Sequence, residues 1–170
     1  MKQIINNRYL KIFKLSSLKE MLFFLKDQKV ENSLYIEDTY GDNYYCYVCH
    51  HSLTKEKLFI LSFSSCKNED NLNFLFWNNH IILDTGNFIY ILDENLRIKS
   101  SLEISIYLIG LYLIDNNTLL ILEEASFKII NYKGKIIQSE SFDIIENFDI
   151  KDNLLYIQTS KENKIIKINL

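Results

Sequence analysis

Proline is absent from the 170 residues, and glycine occurs only at Gly41, Gly86, Gly110 and Gly134. Turns must therefore rest on Asn, Asp and Ser, which accept turn geometry or bond their own backbone. The three cysteines are an odd number, which disfavours a disulfide framework and favours free thiols in a reducing compartment. No apolar run reaches the ~18 residues of a membrane span. The opening MKQIINNRYLKIFK has neither a continuous apolar stretch nor a small-residue cleavage site, so the sequence predicts a cytoplasmic protein without a secretory signal. Also missing are a nucleophile elbow, a phosphate-cradling loop and a helical pair of metal ligands. The expectation is a protein that is not an enzyme, with no cofactor and no bound metal.

What is present is repetition. NNHIILDTGNFIYILDENLRIKSSLEI starts at Asn78, NNTLLILEEASFKIINYKGKIIQSESF at Asn116, and the shorter DNLLYIQTSKENKIIKINL at Asp152, so the openings lie 38 and 36 residues apart. That period belongs to repeat architectures. Each copy reads as an Asn/Asp turn, an apolar run (Ile81 to Leu83, Leu119 to Leu122, Leu154 to Ile157) and a second run after a polar break. Tight turns follow at Asp93 to Asn95 and Lys133 to Gly134, where Asn or Gly can take positive φ, and then a third strand in the first two copies. The first run of each copy is apolar at consecutive positions, so both faces of its strand need cover. Sheets stacked between like sheets meet that demand. The segments IYILDENLRIKS and FKIINYKGKIIQS resemble blades of bacterial β-propellers, without the Gly-His and Trp-Asp signatures of WD repeats. The predicted fold is mainly β, an open (half) propeller-like stack of antiparallel meander blades with one N-terminal helix. A β-sandwich or open barrel is the alternative.

A single domain, 1–170, is expected. Tyr9 to Phe13 reads as a strand that could pair with the last, shorter repeat copy and fasten the termini together. Ser17 and Glu20 have capping-box spacing, and Leu18, Met21, Leu22 and Leu25, with Phe24 beside them, form an apolar stripe, which predicts a helix over 18–28 that covers the exposed face of a terminal blade. Residues 33–71 are a divergent, hairpin-like first unit, and 72–170 are the repeat units.

Cys46 to His50, CYVCH, has the C-x-x-C-H spacing of covalent haem attachment. In a strand the two cysteines point to opposite faces, so buried thiols are the better expectation. Zinc on Cys46, Cys49 and His50 would need remote ligands from Cys66 or His80.

Net charge is −3, split into seven Lys/Arg against two Asp/Glu in residues 1–29 and twelve against twenty in residues 30–170. An acidic body disfavours nucleic acid and favours a basic protein partner, although ordinary solvated surface charge gives the same asymmetry. Glu37, Asp38, Asp42, Glu69 and Asp70, with Tyr40, Tyr44 and Trp77 as aromatic anchors and the Asp93-Glu94 pair, are the candidate partner-binding residues. A small, acidic, glycine-poor domain without catalytic equipment resembles the immunity proteins of bacterial toxin systems, contact-dependent growth inhibition among them. The resemblance implies binding to a cognate basic toxin, a nuclease for example, and occlusion of its active site, with no role for nucleic acid or membrane. A propeller-like interaction scaffold or sensor module is the alternative.

Overall fold

A computed structural model describes residues 4, 5, 7–28, 30–38 and 40–168. The chain divides into two compact units, Met1–Leu102 and Glu103–Leu170.

In the first unit, β1 (Ile4–Ile5), β2 (Arg8–Leu15), β3 (Ser33–Ile36), β4 (Asn43–His51) and β5 (Lys57–Ser65) form a sheet in the order β1-β2-β4-β5-β3. The strand expected over Tyr9 to Phe13 is there, but it does not reach for the last repeat copy. Instead β2 pairs with β4 from Arg8 opposite His51 to Leu15 opposite Tyr44, because β4 offers a long, mostly buried partner of matching length. Nor do β3 and β4 make the expected hairpin. β3 pairs parallel with β5, Ser33 opposite Ile60 and Ile36 opposite Phe63. The link from β3 must then cross the end of β5 to enter β4 on its other side. Gly41 makes that crossing possible, since a Cβ there would lie 2.4 Å from the Ser65 amide nitrogen.

Between β2 and β3 runs α1 (Leu18–Gln28), with the predicted bounds. Ser17 Oγ accepts the Glu20 amide at 3.2 Å, and the Glu20 carboxylate reaches back to the amide and hydroxyl of Ser16, both at 2.6 Å. The Ser16 hydroxyl first, then its amide, hold the Glu20 carboxyl below its ordinary value. The apolar stripe is narrower than expected. Met21 is fully buried and Phe24 packs on Phe13 with ring centroids 4.9 Å apart, whereas Leu22 is half exposed. A helix lying on a sheet touches it along one line, and Leu22 falls off that line toward water. Phe13 lies opposite Cys46, so the helix covers the face of the sheet opposite the core.

That core joins the first sheet to the second, β6 (Phe74–Trp77), β7 (His80–Asp84), β8 (Phe88–Asp93) and β9 (Ile98–Glu103), paired in chain order. Leu10, Tyr45, Tyr47, Leu61 and Phe63 meet Phe74, Ile81, Leu83 and Leu92. Tyr47 sets its ring edge-on to Phe63 and Phe74, at 5.0 and 5.2 Å, a geometry worth about 0.5–1.5 kcal/mol per pair beyond the area buried.

The second unit repeats the scheme. One sheet is β10 (Leu108–Leu113), β11 (Thr118–Glu123), β12 (Ser126–Asn131) and β13 (Ile136–Ser141), and the other is β14 (Ile145–Lys151), β15 (Leu154–Thr159) and β16 (Asn163–Lys167). Leu120, Leu122, Phe127 and Ile129 pack with Leu155, Ile157 and Ile166. Each of these three meander sheets also contains a strand ahead of the repeat copy. In the second unit these are Leu108–Leu113 and Ile145–Lys151, which the repeat pattern did not include and which are less completely buried than the strands that follow them.

The repeats correspond in several details. Ile81 to Leu83 and Leu119 to Leu122 are completely buried, while the third copy buries Leu155 and Ile157 and leaves Leu154 and Tyr156 half-buried. The openings of the first and third copies are two-residue hairpin turns with positive φ at both positions, at Asn78 and Asn79 (43° and 62°) and at Asp152 and Asn153 (52° and 60°). In the second copy the connection is longer, Asn116 and Asn117 lack positive φ, and the Asp115 side chain accepts the Asn117 amide at 2.6 Å. Asp93 and Asn131, 38 residues apart, do one job. The side-chain oxygen of Asp93 accepts the amides of Asn95 and Arg97 at 2.9 Å, and that of Asn131 accepts the amides of Lys133 and Lys135 at 3.0 Å. The positive φ of the first of these turns falls on Leu96 (59°) and not on Asn95; Gly134 (76°) takes the same place in the second.

Because a side-chain oxygen carries this turn, Asp93→Asn should lose only the partly exposed ion pair with Lys99 and so little stability in urea unfolding. Asp93→Ala, which abandons two amides, should cost about 1–2 kcal/mol. Equal losses in both variants would refute the role assigned to Asp93.

Candidate functional site

Two sheets of the first unit are tied together by a polar knot at the end of β5. The fully buried Asp84 carboxylate accepts the Lys67 ammonium at 2.6 Å, the Asn73 amide at 2.8 Å and the Gly86 backbone N–H at 2.8 Å. Asp38 accepts the Thr85 hydroxyl at 3.0 Å, the Asn87 side chain at 2.9 Å and the Tyr40 amide at 3.1 Å, while Ser64 Oγ accepts the Asp38 amide at 2.7 Å. Asp38 is therefore buried, not a surface residue for a partner. Its bonds come from residues 47 and 49 positions along the chain, and no local pattern could show that. A buried carboxylate needs such partners, since breaking a buried pair costs about 3–5 kcal/mol. Gly86, at φ 109°, passes so close that a Cβ would sit 2.3 Å from Cys66 Sγ. Thus two of the four glycines flank the end of β5.

Outside the knot the surface is acidic and partly aromatic. Glu37, Asp42, Glu69 and Asp70 are exposed, Tyr44 is half-buried, and Tyr40 is 77% exposed. Glu69 and Asp70 sit on the single 3-10 turn Glu69–Asn71 that leads into β6. The Tyr45 hydroxyl donates to the Lys67 carbonyl at 3.0 Å. It is pushed up by burial and then by the charges of Glu69, Asp42 and Asp70. Glu37 acts on the Tyr35 hydroxyl, after burial, in company with Tyr44.

The remaining candidates lie elsewhere. Trp77 is 2% exposed and is a buried side chain, not an anchor; its indole N–H has no hydrogen-bond partner among the described residues. It pairs with His80, which pairs with Asp93, at the far end of β6 and β7 from Phe74. Asp93 caps its turn and binds Lys99 at 2.9 Å, and Glu94 binds Arg8 at 3.0 Å. Against the upward push of burial, the Arg97 amide, Lys99 and the Asn95 amide hold the Asp93 carboxyl below its ordinary value. The ten residues therefore do not form one surface.

Beside the acidic turn lies a cleft of about 370 Å³. Leu10, Ile12, Leu72 and Phe74 line it together with Tyr47, and Glu69 and Asp70 complete its wall. Its residues come from three separate segments, which is why no motif announces it.

The thiol strand is inert. Cys49 faces the core, and Cys46, on the other face, is 3.0 Å from Ser62 Oγ. Burial pushes both thiols up to about 11. His50 is buried, stacks flat on Tyr9 at 4.9 Å and bonds the Lys55 carbonyl through Nδ1 at 3.1 Å. Cys66 is exposed, but burial, Asp38 and Asp84 push its thiol up as well. Among the described residues no three His, Cys, Asp or Glu side chains gather as a metal ion would need, and no helix is long and apolar enough to cross a membrane.

No protein-family model and no curated protein matches the sequence. Solved structures do match in fold. BamB from Moraxella catarrhalis is similar over 81% of this chain and 46% of its own, at 15% identity and a TM-score of 0.53. BBS1N in complex with ARL6DN is similar over 74% and 46%, at 10% identity and 0.52. Kluyveromyces lactis Hsv2 follows over 81% and 45%, at 9% and 0.50. These are β-propeller proteins, and the chain spans less than half the length of each. The fold is thus mainly β and of propeller type, with small sheets of which none closes into a barrel.

Thiol titration of the native protein with a chromogenic disulfide at pH 8 should count one reactive cysteine, Cys66, and three after unfolding. Since Cys46 and Cys49 hold their protons from the ordinary 9.0 up to about 11, the native state binds more protons than the unfolded chain in that window. The contribution of the two thiols should be level below pH 9, and stability should fall between pH 9 and 11, less so in Cys46→Ala. Rapid native labelling of Cys46 or Cys49 would contradict the burial described.

Proposed function

We propose that the protein is a non-catalytic binding module that holds a basic protein partner on the acidic face of its first unit, and that the partner is a bacterial toxin, such as a basic nuclease, whose active site it covers. The observation that supports this is the exposure of Asp42, Glu69 and Asp70, the last two side by side on the wall of the cleft, with the highly exposed Tyr40 in the same connection as Asp42. Carboxylates steer a basic partner and an aromatic side chain anchors it. Occlusion requires only a complementary interface of about 1,200–2,000 Å². A scaffold role with a non-toxin partner is the second reading, favoured by the likeness to a propeller protein solved in complex with another protein.

Titrating the protein into an assay of a toxin encoded beside it should abolish toxin activity at a stoichiometric ratio. The triple variant Tyr40→Ala, Glu69→Gln, Asp70→Asn should keep its melting temperature and bind at least about tenfold more weakly. Association should slow as ionic strength rises. Full toxin activity at excess protein removes the toxin reading, and salt-independent association removes the acidic face.

A further inference from the structure

The cleft beside the acidic turn has three features that together select a ligand chemistry. Its wall is apolar, built from Leu10 and Ile12 of β2 and from Leu72 and Phe74 where the chain enters β6. Within it sits Tyr47, only 2% exposed, and its hydroxyl makes no hydrogen bond with any described residue. Its carboxylates are Glu69 and Asp70, neither with an ion-pair partner among the described residues. Tyr47 lines the cleft, so its hydroxyl is left for whatever enters, whereas the other polar side chains buried around the end of β5 bond one another.

Candidate ligands can be sorted on these features. An anion would face two carboxylates. A hard metal ion would want about six oxygen ligands, and the wall offers mostly carbon. A purely apolar group would leave the Tyr47 hydroxyl and both carboxylates unanswered. An apolar stem ending in a cation answers all three. Burial first, with Tyr45, Glu69 and Asp84 after it, pushes the Tyr47 hydroxyl up, so it stays a neutral phenol whose oxygen can accept a hydrogen bond. A guanidinium suits two separate acceptors better than an ammonium. It spreads five N–H donors in a rigid plane, is more weakly hydrated and stacks on aromatic rings, of which Tyr47 and Phe74 are two. The volume, about 370 Å³, lies at the small end of the about 300–1,000 Å³ of ligand sites, which fits one side chain.

We infer that this cleft receives an arginine side chain of the partner protein, its methylenes against Leu10, Ile12, Leu72 and Phe74 and its guanidinium shared between the Tyr47 hydroxyl and the carboxylates of Glu69 and Asp70. The inference rests on the proposed binding of a basic protein and names the residue type that anchors it.

Heteronuclear NMR titration of the full chain with N-acetyl-arginine-N-methylamide tests it, with the norleucine analogue as a stem of similar length without charge. Saturable shifts confined to the signals of Leu10, Ile12, Tyr47, Leu72 and Phe74 are expected for the arginine probe, with at least about fivefold weaker binding of the norleucine probe. Tyr47→Phe keeps the ring and should weaken the arginine probe about fivefold, and the exposed Glu69→Gln should do so by a comparable factor, with its dependence on salt reduced. Leu72→Trp, which fills the cleft, should abolish it. No saturable shift up to about 50 mM, equal binding of both probes, or indifference to Tyr47→Phe and Glu69→Gln overturns the inference. The two proposals fail separately. A basic partner whose binding is weakened by Tyr40→Ala and Asp70→Asn but untouched by Tyr47→Phe and Leu72→Trp leaves the acidic face standing and removes the cleft. Arginine binding without any association of a basic partner does the reverse.

Discussion

Strands β4, β7 and β11 are buried along both faces, and the packing around them follows from that single demand. A strand with no wetted face must be covered twice. For β4 the cover is the second sheet on the Tyr45–Tyr47–Cys49 side and α1 on the side of Cys46. In the second unit the face of β11 that carries Leu120 and Leu122 is closed by Leu155 and Ile157 of the last sheet. The same demand fixes the chemistry of the C-x-x-C-H strand. Its thiols are kept as thiols by the cover that the strand requires, and its histidine is spent on stacking and a backbone carbonyl.

Burial also decides which acidic residues can meet a partner. The end of β5 needs polar groups to accept the loops that cross it, so Asp38 and Asp84 turn inward and are consumed there, and the carboxylates left over at Asp42, Glu69 and Asp70 face outward. The inner pair holds the two sheets in register while the outer set gives the unit its field. Neighbouring carboxylates thus meet opposite fates, buried at Asp38 and Asp84 and exposed at Asp42, Glu69 and Asp70.

What the sequence made legible is what is written locally. The helix ends were marked by Ser17 and Glu20, the hairpins by paired Asn and Asp, and the blade strands by consecutive apolar residues. The propeller-type class followed from the period. What stayed hidden depends on contacts between distant segments. Asp38 looks like any loop acid until Thr85 and Asn87 arrive, and Trp77 looks like an anchor until its strand is covered. The parallel pairing of β3 with β5 is set by a crossing at Gly41, and β2 has the composition to pair with several strands. Of the candidate site, the acidic turn was visible by composition, whereas the cleft under it, assembled from β2, β4 and the approach to β6, had no local signature.

The pairing order of the first sheet has a kinetic consequence. The other three sheets join strands that follow one another directly, so each can zip up from its own turns at a small cost in loop entropy. The first sheet cannot, because β2 waits for β4 across the whole of α1 and β3 waits for β5 across β4. Slow, non-local closure is concentrated there, and the acidic face and its cleft, built on that sheet, come into being only with the last step of assembly.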